Sequence, residues 1–258
     1  MKKIIIQFII IFTLLYLLFK YNLIIRNNTL IISLEFIKNV LPSLFPLLII
    51  SSFIKENIIN KTNNKLIRFI SLCLSFMPGN AIVSSNENEL LFSSNVNPLF
   101  SFILIKSILG FYKSIIIILV NLLINYIFLY KSIKRSNNIY NNDNLSVIEI
   151  IKRSSQSLTY IYGTIIVCNI IYTILTNYIN PKYLFFIEIT NGYKIINSFY
   201  KYKLIPIIFL NSFGGLSFFM QIKSIKANTK ITFLYKKILL SIFVLILTLI
   251  ILMTNFIV

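Results

Sequence analysis

Long apolar runs follow one another along this chain, and they constrain its fold more than any other feature of the sequence. A helix needs roughly 20 apolar residues to cross the hydrocarbon core of a bilayer. Soluble proteins carry about 25% charged residues, whereas this chain carries 12%. The sequence therefore predicts an all-α integral membrane protein. The runs that approach or exceed the length of a span cover 4–25, 30–54, 114–130, 155–179 and 238–258.

Two apolar stretches, one in each half of the chain, are interrupted by segments rich in Gly, Pro, Asn and Ser. The first interruption lies within 77–100 and the second within 188–217. Lipid does not tolerate unpaired backbone groups, so a broken segment at membrane depth must face protein or a water-filled cavity. Paired interruptions in the two halves of a membrane chain are typical of a transport site.

The formal net charge of +18 comes from basic residues in short loops between the apolar runs. The basic loops lie at 55–68, 131–153 and 223–237, and the chain begins with a further lysine pair, Lys2-Lys3. Cytoplasmic loops of membrane proteins are enriched in Lys and Arg, so we assign these segments to the cytoplasmic side. No basic domain with interleaved aromatic residues is present, and the pattern therefore argues against a nucleic-acid partner.

Placing these loops on one side of the bilayer requires about seven crossings. We interpret one as an N-terminal anchor, and each half then contributes three crossings, so that the second half is inverted relative to the first. The predicted architecture has about seven transmembrane helices and two broken or re-entrant segments in a two-fold inverted repeat. A tight turn at Gly110 joins two helices of the first half. The domains are an anchor helix (1–29), a first repeat (30–130), a basic Asn-rich linker (131–153) and a second repeat (154–258).

A short sequence repeat supports this division. The letters EFIK at 35–38, followed by SL at 43–44, recur as EIIK at 149–152 and SL at 157–158, at a constant offset of 114 residues. Each copy stands just before a long apolar run. Internal repeats with inverted topology are the architecture of many secondary transporters.

The first interruption contains the signals for a helix end and a new helix start. Pro78 and Gly79 interrupt a helix, because proline removes a backbone donor and glycine permits turn geometry. Asn97 and Pro98 predict the start of a helix, with Asn97 as its cap and Pro98 at its first position. Free N–H groups at such a start would favour an anion. The alternative is an ordinary solvent loop followed by a capped helix.

The second interruption has similar signals. Thr190-Asn191-Gly192 predicts the end of a helical stretch, since Gly and Asn suit a left-handed cap. Gly214 and Gly215 either unwind a membrane helix or allow a close helix contact.

Acidic residues are few, and Glu188 is the most informative of them because it adjoins Thr190-Asn191-Gly192. Carboxylates inside a membrane are expensive and often functional, so Glu188 is a candidate for proton coupling. The alternative is an interfacial Glu188 paired with Lys182 or Lys194. Glu87 and Glu89 are interpreted as loop charges.

The sequence contains no pattern that indicates an enzyme. A phosphate-binding Gly-Lys-Ser/Thr loop is missing, and the chain has no His, which excludes a Ser-His-Asp triad and the common zinc motifs. Cys73 and Cys168 lie in apolar runs and are interpreted as packing residues. We expect no cofactor and no metal site.

Several motifs together resemble the sporulation integral membrane proteins of the YlbJ type, which contain nucleoside-recognition (Gate) domains. The resemblance covers roughly 30–255. The motifs, in chain order, are LEFIKNVLPSLFP (34–46), FMPGNA (76–81), SSNVNPLF (93–100), EITNG (188–192) and SFGGLS (212–217), with Gln221 after the last.

This resemblance implies a transporter that moves dipicolinate into the developing spore, in the mother-cell-derived membrane around the forespore. Nucleoside or nucleobase transport, and a non-transporting membrane scaffold or permease subunit, remain as alternatives. The expected partners are the lipid bilayer and a small anionic solute. The expected polar contacts to the solute are Asn95, Asn97, Thr190, Asn191, Ser212, Ser217 and Gln221, and the residues expected to shape the backbone are Pro78, Gly79, Pro98, Gly192, Gly214 and Gly215.

Overall fold

The computed structural model describes residues 12–13, 15–59, 64–75, 79–133 and 146–254, and this part of the chain contains helices and no strand. The α-helices of the first half are α1 (Asn22–Glu35), α2 (Leu41–Asn57), α3 (Lys65–Leu74), α4 (Gly79–Val83), α5 (Glu87–Ser93), α6 (Pro98–Leu109) and α7 (Phe111–Ser132). Those of the second half are α8 (Val147–Leu175), α9 (Ile189–Phe199), α10 (Leu204–Phe213), α11 (Gly215–Ile225) and α12 (Ile231–Thr254). A π-helical turn, Phe36–Val40, joins α1 to α2, and a 3₁₀ turn, Pro181–Leu184, precedes α9.

Several helices in the described part of the chain are long and apolar enough to cross a bilayer. Four segments meet this condition, namely α7, α8, the pair α10–α11 and α12. A fifth is the pair α5–α6, which is bent by 41° at its break. The prediction of an all-α protein is therefore confirmed for the described residues, which contain four to five candidate membrane-spanning segments.

The outer surface of these helices is apolar, as expected for contact with lipid. On α7, Leu119, Leu123 and Ile127 follow one another at a spacing of four residues, and each side chain is about half exposed. The opposite face of the same helix places Ile117 and Ile124 in the core. A helix that is apolar all round is typical of a membrane protein.

The first two predicted apolar runs are joined without a loop, because α1 passes through 26–29 and continues by way of the π turn into α2. Two polar side chains of this stretch have hydrogen-bond partners. Thr29 donates to the carbonyl oxygen of Ile25 at 2.7 Å, and Asn28 donates to the hydroxyl of Thr173 on α8 at 3.1 Å. The predicted domain boundary at residue 30 thus falls inside a helix. Residues 1–11 of the predicted anchor lie outside the described residues.

Helices α1 and α2 lie antiparallel to α8 along most of its length. Near the middle of α8, Ser33 and Tyr162 share a hydrogen bond of 2.7 Å between their hydroxyl oxygens. Closer to its start, the hydroxyl oxygens of Ser52 and Ser154 are 3.3 Å apart. This long contact joins the first half of the chain to the second.

The predicted helix start and the predicted tight turn of the first half are confirmed. Asn97 caps α6, accepting a hydrogen bond from the N–H of Leu99 at 3.0 Å, and Pro98 is the first residue of that helix. Gly110 alone separates α6 from α7, and its φ of +85° explains why glycine occupies the turn.

The two copies of the short repeat have different local structures. Glu149 is part of a capping box with Ser146 at the start of α8. Glu35 is instead the last residue of α1, in the middle of a longer helical segment. The first copy of the repeat therefore lies inside a longer helical segment, whereas the second copy lies at the start of a helix.

The polar segment after Gly79 is a compact buried structure, and the solvent-loop alternative is wrong for it. Its centre is Glu89, which is fully buried and forms a bidentate ion pair with Arg68 of α3, the closer N–O distance being 2.9 Å. The N–H and hydroxyl of Ser85 also donate to Glu89, each at 2.9 Å. Interpreting Glu89 and Arg68 as loop charges was wrong. Glu87 is partly exposed and pairs with Lys236 at 2.9 Å.

Candidate functional site

A cavity of about 120 Å³ is lined by residues of both interruptions. Asn97 comes from the first, and Glu188, Thr190, Gly214 and Ser217 come from the second. A site for one water needs about 10–15 Å³, so the cavity has room for a small solute. We call it the central cavity. Its remaining lining residues are Val40, Leu44, Val96, Phe100, Ile165, Ile189, Phe218 and Gln221.

The second interruption is a helix break, as predicted. Helix α10 ends at Phe213, and Gly214 and Gly215 have φ of +82° and +87°. The chain then turns so that the N–H of Leu216 donates to the carbonyl of Phe186 at 2.8 Å. A Cβ on Gly215 would lie 3.2 Å from that same carbonyl oxygen. Both the conformation and the close approach therefore require glycine.

The interpretation of Thr190-Asn191-Gly192 as a helix end was wrong, because α9 begins there. Glu188 is the N-cap, and its carboxylate accepts a hydrogen bond of 2.8 Å from the N–H of Asn191. Gly192 does not have a positive φ. A side chain at Gly192 would collide with the carbonyl oxygen of Phe185, so this glycine allows α9 to pack closely.

Glu188 is buried, with 6% of its surface exposed, and its side chain faces the central cavity. The alternative of an interfacial pair with Lys182 or Lys194 is not observed. Lys194 instead lies 3.7 Å from Glu35, and no ion pair in the described ranges includes Glu188. Glu188 is thus an acid held inside the protein by a helix start.

Other predicted contact residues lie near the central cavity without lining it. Asn191 faces an adjoining cavity of about 60 Å³, and its amide donates to Asn169 at 2.6 Å. Asn95 and Ser212 are buried, and Asn95 Oδ1 and the Ser212 hydroxyl have no hydrogen-bond partner within the described protein. Predicted contacts that do line the central cavity are Asn97, Thr190, Ser217 and Gln221.

The glycine and proline positions of the first interruption have mainly packing roles where they are described. Gly79 lies against Ser51 of α2, and an added Cβ would collide with that hydroxyl. Pro98 begins α6. Pro78 lies outside the described residues.

At the starts of α6, α9 and α11, some of the N–H groups that were expected to be free for an anion have partners within the protein. The N–H of Leu99 is bonded to Asn97, and the N–H of Asn191 is bonded to Glu188. At the start of α11, the N–H of Ser217 donates to the carbonyl of Ile187 at 2.9 Å. Among the described residues, the lining of the central cavity contains an acid and no basic side chain.

Sequence reasoning missed a buried lysine next to the first interruption. Lys237 was counted with the basic loop at 223–237, but only 1% of its surface is exposed. Its ammonium donates to the carbonyl of Ser94 at 2.7 Å and approaches that of Leu91 at 3.5 Å. The available signal was its position directly before the apolar run at 238–258.

The two cysteines are free thiols in the structure, and Cys168 Sγ lies 3.4 Å from Met220 Sδ. Within the described ranges no group of three or more His, Cys, Asp or Glu side chains could hold a metal ion.

Comparison of the chain with protein-family models, with curated proteins and with solved structures finds no match. The function is therefore argued from the geometry of the two interruptions and from the chemistry of the side chains around them.

Proposed function

We propose that the chain is a membrane transporter for a small anionic solute, of which dipicolinate is the first candidate. The central cavity carries this proposal, because Asn97 of the first interruption and Gly214 and Ser217 of the second line one space. In secondary transporters, broken helices from two repeats form the substrate site where they meet.

The order of helices supports an inverted repeat with three crossings in each half. In each half a long helix is followed by a short helix or helix pair, a broken helix and another long helix; these are α2, α3–α4, α5–α6 and α7, and then α8, α9, α10–α11 and α12. Side chains from the three basic loops, Lys55, Arg153 and Lys226, line a single cavity, as a common cytoplasmic side requires.

Glu188 gives this transporter a means of proton coupling. An anion and an ionised carboxylate in one small cavity repel each other strongly, because water cannot screen them there. If a proton binds Glu188 together with the solute, the cavity carries one negative charge fewer. We therefore propose that anion and proton move together.

Nucleoside transport is the second candidate, and Glu188 also favours it. A neutral solute needs no compensating cation, and none lines the central cavity among the described residues. The carboxylate of Glu188 and the amides of Asn97 and Gln221 suit the hydroxyl groups of a sugar.

Dipicolinate as the solute and the membrane around the forespore as the location are supported by the resemblance of the sequence motifs. Dipicolinate is a small planar dicarboxylate, and hydroxyl and amide groups such as those of Thr190, Ser217 and Asn97 can bind carboxylates without a fixed positive charge.

Uptake into proteoliposomes tests the function directly. Vesicles containing the purified protein are given labelled dipicolinate or labelled uridine, with and without an inward proton gradient. We expect dipicolinate uptake that the gradient accelerates, and a loss of that acceleration in Glu188→Gln. Asn97→Ala should reduce uptake, whereas Asn95→Ala, on the same segment but outside the cavity lining, should retain it.

Three outcomes separate the alternatives. Uridine uptake without dipicolinate uptake would establish the second candidate. Uptake of neither solute, with correctly folded protein, would favour a non-transporting scaffold. Normal spore dipicolinate in a deletion strain would contradict dipicolinate as the physiological solute.

A further inference from the structure

A second and larger cavity, of about 330 Å³, is lined by side chains from each of the three basic segments. Its charged lining residues are Lys55, Arg153, Lys226 and Glu56. Arg153 and Glu56 form an ion pair at 3.5 Å. The charged lining described here therefore has a net positive charge, in contrast to that of the central cavity. We call this space the basic cavity.

Lys226 is a partly buried cation of this lining. It follows the spanning segment 204–225, and its ammonium donates to the carbonyl and the hydroxyl of Ser84 at 3.0 and 3.3 Å. Burial lowers the pKa of the Lys226 amine, and the positive charges of Lys55 and Arg68 lower it further, although Glu89 opposes them. An anion in the basic cavity would relieve this repulsion.

Three helices, α2, α8 and α11, line both cavities, each with residues at different positions along its length. On α2, Leu44 lines the central cavity and Ser52 lines the basic cavity, eight residues or about 12 Å along the helix. On α8, which runs in the opposite direction, Ile165 lines the central cavity, and Ser157, eight residues earlier in the chain, lines the basic cavity. On α11, residues up to Gln221 line the central cavity, and residues from Ser224 line the basic one.

A single apolar layer lies between the two cavities. Midway between the lining positions, Leu48 of α2 and Ile161 of α8 are fully buried and belong to one hydrophobic cluster. Leu44 and Ile165 pack against this cluster on the side of the central cavity, and Ile225 packs against it on the side of the basic cavity. Apolar constrictions of this kind close a path by excluding water.

We propose that the basic cavity is a second anion-binding site, the cytoplasmic mouth of the path to the central cavity, and that Leu48 and Ile161 close the path between them. The ligand class is a small carboxylate or phosphate anion. This inference rests on the proposed function. The basic cavity attracts an anion, which the acidic lining of the central cavity does not. The basic mouth concentrates the anion, and the central cavity binds it with a proton.

Thiol reactivity tests the charge of the basic cavity without any transport measurement. Ser157→Cys is prepared in a variant carrying Cys73→Ala and Cys168→Ala, and inside-out membrane vesicles expose the side of the basic loops. We expect an anionic thiol reagent to react about tenfold faster than a cationic one, relative to the same ratio at Ser155→Cys. Ser155 is exposed on the same helix and does not line the cavity.

Neutralising the cavity supplies the control for this preference. Lys226→Gln with Lys55→Gln should bring the ratio at Ser157→Cys close to that at Ser155→Cys, whereas Lys223→Gln, just outside the lining, should leave it unchanged. A ratio at Ser157→Cys that equals the ratio at Ser155→Cys in the unsubstituted cavity would overturn the proposal, even if the vesicles transport normally.

The apolar layer is tested at Ser217→Cys, in the central cavity. From the side of the basic loops this cysteine should react slowly, and Leu48→Ala should accelerate it several-fold, with a smaller effect in the same direction from the milder Leu48→Val. Leu72→Ala, which removes an equally buried leucine from another cluster, controls for general loosening of the fold. Equal acceleration by Leu48→Ala and Leu72→Ala would contradict a specific closing role.

The source of the anion is distinguished by protection of Ser157→Cys. Dipicolinate or inorganic phosphate should slow the anionic reagent in vesicles of phosphatidylcholine alone. If phosphatidylglycerol in the bilayer protects the cysteine and the soluble anions do not, the basic cavity holds a lipid headgroup and is not the mouth of a solute path. If uptake fails but the soluble anions still protect Ser157→Cys, the proposed function is rejected and the anion-binding site is retained.

Discussion

The ammonium of Lys237 lies 2.7 Å from the carbonyl oxygen of Ser94 and so joins the start of the last helix to the first interruption. Helix α5 ends at Ser93, and carbonyls at a helix end have no partner within the helix. A positive charge is also favoured at a helix C-terminus by the helix dipole. Lys237 thus donates a hydrogen bond to the carbonyl of Ser94, directly after the end of α5, where the break between α5 and α6 begins.

Replacing Lys237 by methionine should destabilise the protein by about 1–3 kcal/mol, since the carbonyl of Ser94 loses its side-chain donor, whereas the carbonyl of Leu91 keeps the Ser94 hydroxyl as a donor. Lys236→Met is the matched control, because Lys236 is half exposed and its pair with Glu87 is worth about 0–1 kcal/mol. Thermal unfolding in detergent measures both variants. Equal stability of the two would show that Lys237 is not needed to satisfy the break.

The buried pair of Arg68 and Glu89 should give a strongly non-additive double-mutant cycle. Removing either partner leaves a buried charge alone, which costs about 3–5 kcal/mol. Arg68→Met with Glu89→Met removes both charges, so the double variant should be less destabilised than the sum of the two single variants. Denaturation of the four proteins in detergent gives the coupling energy. Additive effects would mean that the two side chains do not interact in the folded protein.

The glycines form a graded series of substitutions to alanine. Gly163→Ala should stabilise the protein by about 0.5–1 kcal/mol, because this helical glycine has open space around it. Gly110→Ala should cost about 1–3 kcal/mol from its positive φ alone. Gly215→Ala should cost more, because its positive φ is combined with a close backbone contact. Unfolding measurements that reversed the order of Gly163 and Gly215 would contradict this account of the second break.

Two buried serines on the second interruption separate solute contact from packing. Ser217 lines the central cavity, whereas Ser212 does not and has a hydroxyl without a protein partner. Ser217→Ala should weaken solute uptake severalfold, as expected for the loss of a hydrogen bond worth about 1 kcal/mol. Ser212→Ala should leave uptake and stability nearly unchanged. A larger loss of uptake in Ser212→Ala would move the solute site away from the central cavity.

Features that depend on local backbone chemistry were predictable from the sequence. Asn97 and Pro98 mark a helix start because a capping side chain and a fixed φ act within one turn. Gly214-Gly215 marks a break because few other residues adopt a positive φ at low cost. The apolar runs likewise indicated the helices, although the predicted boundary between the anchor helix and the first repeat lies inside α1, where Asn28 bonds to Thr173 of α8.

Features that depend on partners distant in the sequence were decided by the tertiary structure. In the sequence, Arg68 and Lys237 belong to segments that were interpreted as basic loops. They are buried because they pack against Glu89 and Ser94. Thr190-Asn191-Gly192 could end or begin a helix, and the cap by Glu188 decides for the beginning. The sequence by itself determined a helical membrane chain with two breaks. That the breaks share one cavity was decided by the tertiary fold, because contacts between segments about 100 residues apart leave no local pattern in either segment.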